Sequence, residues 1–181
     1  KRNTLQAIAC VALACIGLSA SAQTFPPKKT ITMVVGFAAG GAADTGARII
    51  AKKLGENIGA SVVIDNKPGA GGNIGADIVA KSPGDGYTLV MGTVGTHSIN
   101  GALYDKMPYD MVKNFSPISL VASAPNLLVV NNDLPVKTVN ELVAYMKANP
   151  NKLSFGSPGI GTSVHMSGEL FKSMTGTSMT H

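Results

Sequence analysis

Ile31-Thr32-Met33-Val34-Val35-Gly36-Phe37-Ala38-Ala39-Gly40-Gly41-Ala42-Ala43-Asp44 is the stretch that decides the fold. An apolar, β-branched run gives way to small residues and then to a helical pattern through Ala47, Ile50, Leu54 and Ile58. A strand that turns through glycines straight into a helix presents bare backbone N–H groups at the positive end of a helix dipole, which suits an anion. Gly40 and Gly41 permit a tight bend and let a ligand approach the main chain without meeting a Cβ. Asp44 is placed to cap the new helix by accepting from an N–H two or three residues further on. The same pattern also serves as a plain βα turn of an α/β domain.

Outward from this stretch, strand and helix signals alternate. Val62–Asp65 and Tyr87–Met91 are further short apolar runs, separated by helix-length segments over 43–58 and 72–80. That spacing predicts right-handed βαβ units and a parallel sheet. Pro83-Gly84-Asp85-Gly86 is a tight turn before the third strand. Ile118–Val121 and Leu127–Val130 read as one extended segment interrupted at Ala124-Pro125, a natural crossing point between two lobes. Thr138-Val139-Asn140-Glu141 is a capping box that opens a helix with Leu142, Val143 and Met146 on one face. Lys152–Phe155 reads as a strand, and the glycine-rich turn from Gly156 to Thr162 leads to a helix through Met166, Leu170, Phe171 and Met174. Strand, glycine-rich loop and helix start therefore recur in each half. The expected organisation is a signal segment at 1–22, a first α/β lobe at 23–123 and an incomplete second lobe at 124–181. A second lobe this short buries only a thin core, so the sequence reads as a fragment of a longer chain.

The N-terminal segment reads as an export signal. Lys1 and Arg2 precede an apolar Ile8–Leu18 run and the A-x-A motif Ala20-Ser21-Ala22, which predicts cleavage between Ala22 and Gln23. The run is short for a membrane span, and the residues before Cys10 and Cys15 do not form a lipoprotein box. There is no initiator Met, so the chain reads as clipped at its start. Both cysteines fall in this segment, which leaves the mature chain without disulfides, a thiol nucleophile or thiolate metal ligands. The formal charge of +5 falls by two, to +3, once Lys1 and Arg2 are removed. The remaining cations are scattered, which argues against nucleic acid as a partner.

Catalytic chemistry finds little footing. His97, His165 and His181 are the three histidines, and none stands in a metal-ligand spacing. There is no G-x-S-x-G elbow, no S-x-x-K and no P-loop Gly-Lys-Ser/Thr. Gly69-Ala70-Gly71-Gly72-Asn73-Ile74-Gly75 approaches a dinucleotide fingerprint, but its third glycine falls one residue late. It reads better as a loop that lets the following helix pack close to the sheet. Neither a cofactor nor a metal is expected. The alternative class is a secreted α/β enzyme acting on a carboxylate with His97 or His165 as base, and a third is a module with no small-molecule affinity.

The order and spacing of several segments carry more than any one alone. They are the Val35–Asp44 stretch, Asp65-Asn66-Lys67-Pro68-Gly69-Ala70-Gly71-Gly72-Asn73-Ile74-Gly75, Pro83-Gly84-Asp85-Gly86-Tyr87, Gly95-Thr96-His97-Ser98-Ile99-Asn100, Leu103-Tyr104, Pro108-Tyr109-Asp110 and Gly161-Thr162-Ser163-Val164-His165. Together they resemble the periplasmic solute-binding receptors of tripartite tricarboxylate transporters, the Bug-type family. The resemblance implies a type II periplasmic-binding-protein-like fold, in which two mainly parallel α/β lobes close like a Venus flytrap on a small carboxylate. It implies delivery to a membrane permease, or an orphan sensor role, by a monomer in the periplasm. It implies that the first loop, Phe37, Ala39, Gly40 and Gly41 with Asp44, meets one carboxylate, partly through ordered water. Ser157, Gly161, Thr162 and His165 would hold the other end, and Thr93, Thr96, His97 and Asn100 follow the third strand. The chain departs from the family pattern at Gly36, where Pro is usual, and at Ala42-Ala43, where Gly-Thr is more frequent. The second change removes a hydroxyl beside the site.

Overall fold

The computed structural model describes residues 29–181; the signal segment and cleavage site expected from the sequence lie outside the described residues. Three parallel strands, β1 (Ile31–Val35), β2 (Val62–Asn66) and β3 (Thr88–Met91), form a sheet in the order β2-β1-β3. Ile31 pairs with Val62 on one side of β1, and Thr32 pairs with Thr88 on the other. Parallel neighbours need helical crossovers. These are α1 (Ala42–Ile58) between β1 and β2, and α2 (Asn73–Ala80) between β2 and β3.

The central strand is buried along both faces except at Thr32, which is partly exposed. Met33 and Val35 join Ala47 of α1 in the core, with Ile50, Val62, Ile64, Leu89 and Met91 packed around them. A fully buried valine such as Val35 contributes about 1.5–3 kcal/mol. The opposite side is held by close backbone contact. A Cβ on Gly75 would lie 2.9 Å from the Cα of Gly36, and a Cβ on Gly36 would lie 2.6 Å from the Gly72 carbonyl oxygen. The glycines of the near-fingerprint thus do the packing job read from the sequence.

After β3 the chain winds through a π turn (Gly95–Ile99) into a short helix, α3 (Asn100–Leu103). Further on, α4 (Val139–Ala148) buries Leu142 and Met146, and α5 (Ser163–Thr175) follows the third glycine-rich loop. Thr138 caps α4 by accepting the Glu141 N–H, while Glu141 accepts the Lys137 N–H at 2.6 Å, one residue before the reciprocal bond of an ideal capping box.

Two strand expectations are corrected. Residues 115–131 form no ladder, and Ile118, Leu120, Leu127 and Val129 are at least 80 % exposed. Lys152–Phe155 is reduced to a single parallel bridge, Ser154 with Thr180. A strand exists only where a neighbour offers carbonyls and amides in register, and among the described residues no strand pairs with 115–131. No helix among the described residues is long and apolar enough to cross a membrane.

Candidate functional site

In the order β2-β1-β3 the chain leaves β1 in one direction and returns on its other side. The carboxyl end of β1 is therefore a switch point, where loops part and leave a crevice. Three glycine-rich loops meet there.

The first loop runs from Gly36 into α1, whose N-cap is Gly41 in extended conformation (φ −75°, ψ 172°) with no side-chain cap. The expected Asp44 cap is corrected: Asp44 lies inside the first turn and reaches backward. Its carboxylate is buried and accepts the Gly40 N–H at 2.8 Å, Arg48 Nε at 2.9 Å and Asn66 Nδ2 at 2.9 Å. Asn66 Nδ2 also donates to the Phe37 carbonyl at 3.0 Å. Asp44 thereby ties the loop, the helix and the end of β2 into one unit. The Arg48 guanidinium first, then the Gly40 N–H and Asn66, hold its carboxyl well below the usual carboxylate range. Gly40 turns at φ +86°, and its N–H is committed to Asp44. The amides of Ala38, Ala39 and Gly41 have no acceptor among the described residues.

The second loop, Pro68 to Gly72, is a tight left-handed turn. Gly72 donates to the Gly69 carbonyl at 2.9 Å, and Ala70 and Gly71 take φ of +48° and +61°. Ala70 accepts strain of about 1–2 kcal/mol that a glycine would avoid. Gly72 is the N-cap of α2, so a second helix start opens onto the crevice.

The residues after β3 form a polar brace rather than an exposed rim. The Thr96 hydroxyl accepts the Thr93 N–H at 3.0 Å and lies 2.8 Å from His97 Nδ1. Asn100 is fully buried and donates to Asn73 Oδ1 at 2.6 Å, while the Tyr109 hydroxyl is shared between Asn73 Oδ1 (2.9 Å) and the Thr96 carbonyl (2.8 Å). Burial, and then the charge of Asp77, pushes the Tyr109 hydroxyl up to about 12. His97 packs edge-on against Phe115 at 4.6 Å, and burial pulls its pKa down. Thr96, His97 and Asn100, placed among the candidates for direct contact, are thus engaged with one another and with Asn73 and Tyr109.

The third loop closes the crevice. Thr162 caps α5 by accepting the His165 N–H at 3.3 Å and donates its own hydroxyl to the Gly159 carbonyl at 2.7 Å. Ser157 donates to the same carbonyl at 3.2 Å and lies 2.7 Å from His181 Nε2. His165 sits beside Phe155 and His181. The loop seats on the sheet unit through glycines. The Ile160 carbonyl occupies the space a Gly71 Cβ would need, the Gly161 carbonyl lies 2.8 Å from where a Gly95 Cβ would stand, and Gly161 abuts Asn100 Oδ1. Tyr104 adds a hydrogen bond by donating its hydroxyl to the Ile160 carbonyl at 3.3 Å.

Between the three loops lies a cleft of about 470 Å³. Phe37, Ala38, Ala39 and Gly41 line it from the first loop, Pro68 to Gly72 from the second, Pro158 to Ile160 from the third, and Tyr104 from beyond α3. Of the sequence candidates, Phe37, Ala39 and Gly41 reach this lining. Gly40 and Asp44 shape the first wall from behind, and Ser157, Gly161 and Thr162 shape the third. Thr93, Thr96, His97 and Asn100 support the lining from outside it, and His165 lies beyond the third loop. The sequence reading missed Ala70, Gly71 and Tyr104 as wall residues; the Pro68–Gly72 run was read as packing, which it also is. Among the described residues, no charged side chain lines the cleft.

Comparison with known proteins places the chain in a family. The model of the tripartite tricarboxylate transporter family receptor matches residues 46–181. The "UPF0065 protein in tcbD-tcbE intergenic region" of Pseudomonas sp. (strain P51) is 40 % identical over 176 residues, covering 96 % of this chain and 52 % of that protein. Protein BugT of Bordetella pertussis is 36 % identical over 170 residues, covering 93 % and 52 %. Among solved structures, R. palustris Rpa4515 with adipate superposes with a TM-score of 0.82 at 45 % identity, covering 85 % of this chain and 52 % of that one. MatC from Rhodopseudomonas palustris with bound malate gives 0.80 at 34 % identity, with the same coverages of 85 % and 52 %. The chain spans about half the length of the relatives it matches. Loops, sheet order and sequence matches converge: this chain belongs to the Bug-type receptor family of tripartite tricarboxylate transporters.

Proposed function

We propose that the full-length protein is a periplasmic receptor that captures a small organic carboxylate and presents it to the permease of a tripartite tricarboxylate-type transporter, or acts as an orphan sensor. The observation that carries this reading is the set of unengaged amides of Ala38, Ala39 and Gly41, which open into a cleft where α1 and α2 both begin. Main-chain donors beside the start of α1, in a cleft that no charged side chain lines among the described residues, suit a carboxylate. The relatives bound to adipate and malate support the same class.

In this reading the segment 1–22 is removed after export, with the cut between Ala22 and Gln23. The receptor works as a monomer with lobes that divide near residues 123 and 124, binds without cofactor or metal, and does not turn its ligand over. Phe37, Ala39 and Gly41 contact the ligand directly. Gly40 and Asp44 hold the first loop in shape, Ser157, Gly161, Thr162 and His165 hold the third, and Thr93, Thr96, His97 and Asn100 brace the floor. A thermal-shift screen of the full-length protein against mono-, di- and tricarboxylates tests it. A ligand at 100 times its dissociation constant adds about 2.7 kcal/mol. Absence of any stabilisation, or turnover of a carboxylate, would overturn the proposal.

A further inference from the structure

We infer, on the carboxylate-receptor reading above, that His165 is a proton-sensitive positioning residue for the third loop. It seats the loop while its ring is neutral and releases it as the solution turns mildly acidic, which loosens the hold on a carboxylate. The Gly161 N–H donates to His165 Nδ1 at 3.5 Å and has no other acceptor among the described residues. Nδ1 accepts only while it is bare, so the neutral ring carries its proton on Nε2. A second proton turns Nδ1 into a donor that faces the Gly161 donor. Imidazole is the side chain whose charge ordinarily changes between pH 5 and 8.

Gly161 has little room to answer by moving inward. A Cβ built on it would overlap Asn100 Oδ1 and stand 3.4 Å from Leu103 Cδ2. Its carbonyl oxygen lies 2.8 Å from where a Gly95 Cβ would stand. Displacement away from these contacts carries with it Pro158, Gly159 and Ile160, the wall that this loop gives the cleft. The charges around the ring come from α5 and from His181. Glu169 Oε1 stands 4.0 Å from Nε2 and offers the added charge a partner. Lys172 holds both oxygens of that carboxylate, at 2.9 and 2.8 Å, and so opposes the added charge. His181 meets the ring edge-on at 4.5 Å, so a second imidazolium there is opposed as well. Its own Nε2 lies 2.7 Å from Ser157 Oγ and bears on the start of the loop, not on the Gly161 amide.

Calorimetric titration of the full-length protein at pH 8.0 and 6.0 reads the effect, with adipate or a tighter carboxylate from the screen as probe. Carboxylates stay largely ionised over this range. Affinity should fall about 5- to 10-fold at pH 6.0, the effect of one lost hydrogen bond whose donor then faces another. His165→Asn keeps an acceptor on the γ branch, so it should bind more tightly at pH 8.0 than His165→Leu and show no loss at pH 6.0. Glu169→Gln removes the partner of the added charge and should shrink the loss at pH 6.0, whereas His181→Gln should keep it. Equal parent affinities at the two pH values, or an undiminished loss in His165→Asn or Glu169→Gln, would overturn the inference and leave the carboxylate reading intact. A loss that vanishes in His181→Gln would assign the proton to the other ring and overturn it too. A parent that binds nothing at either pH, with a blank screen across carboxylates, would overturn both.

Discussion

Gly71→Ala and Gly59→Ala form a matched pair that separates backbone strain from contact at the cleft. Gly71 and Gly59 have almost the same left-handed φ, +61° and +65°. Alanine therefore costs about 1–2 kcal/mol at either position from conformation alone. The surroundings differ. Nothing lies within 4 Å of a Cβ built on Gly59, whereas a Cβ on Gly71 would overlap the Ile160 carbonyl and stand 3.4 Å from Asn100 Nδ2. Overpacking of this kind adds about 1–3 kcal/mol. The third loop carries few other ties to the sheet unit, chiefly the Tyr104 hydrogen bond at 3.3 Å, so it yields before the core does. The extra term should then appear in ligand affinity rather than in folding. In full-length protein, urea denaturation should show similar losses for the two variants, while calorimetry with adipate shows unchanged affinity for Gly59→Ala. Gly71→Ala should weaken binding by about ten-fold or more, since each ten-fold is worth 1.4 kcal/mol. Equal dissociation constants in the two variants would refute the reasoning that the third loop must seat on Gly71 to complete the site.

The remaining predictions concern the scaffold behind the cleft. The carboxyl of Asp44 titrates below its ordinary range when folded, so its stabilising effect is complete above that range and declines as pH falls through it. Denaturation midpoints of Asp44→Asn should be lower at neutral pH and fall less steeply toward acid than those of the parent; parallel curves would remove Asp44 as the clamp of the first loop. His97 has the opposite charge type but the same sign of dependence. Burial favours its neutral form, so stability is full above the usual imidazole range and falls as the solution becomes acidic enough to protonate the unfolded histidine. His97→Gln should lose that component, as read from unfolding at pH 7.5 against pH 5.5. Tyr109→Phe should destabilise the protein by about 1–2 kcal/mol, because Asn73 Oδ1 and the Thr96 carbonyl lose a buried partner. A neutral result in chemical denaturation would show that the brace does not depend on that hydroxyl.

The parts of the fold that were legible in the sequence are those whose signals are local. Ile31 to Val35 announces a strand by its largely apolar, β-branched run, and the glycines after it announce a turn. The stripe Ala47, Ile50 and Leu54 gives α1 its buried face, and Thr162 was placed at a helix start where it proves to be the N-cap. What was hidden depends on distance in space. Asn73 and Tyr109 lie 36 residues apart, yet meet over one oxygen; no spacing rule brings them together. The apolar residues of Ile118–Val130 carry strand propensity, but the existence of a strand is decided by a neighbour and not by the segment itself. Ala70 and Gly71 were legible as part of a glycine-rich loop that lets the next helix pack close, while their place on the wall follows from the β2-β1-β3 order, which fixes what stands next to β1. Asp44 shows the limit most plainly. A carboxylate near a helix start invites the capping reading, and only the positions of Gly40, Arg48 and Asn66 reveal that it faces the other way.

That orientation separates the part of the molecule that sets shape from the part that meets solute. The ionic knot of Asp44, Arg48 and Asn66 lies behind the first loop, whereas Ala38 and Ala39 stand in front of it. The alanines that line the cleft take no part in the side-chain bonds that hold the loop. Replacements at the mouth are thereby uncoupled from the anchor that sets the loop's shape.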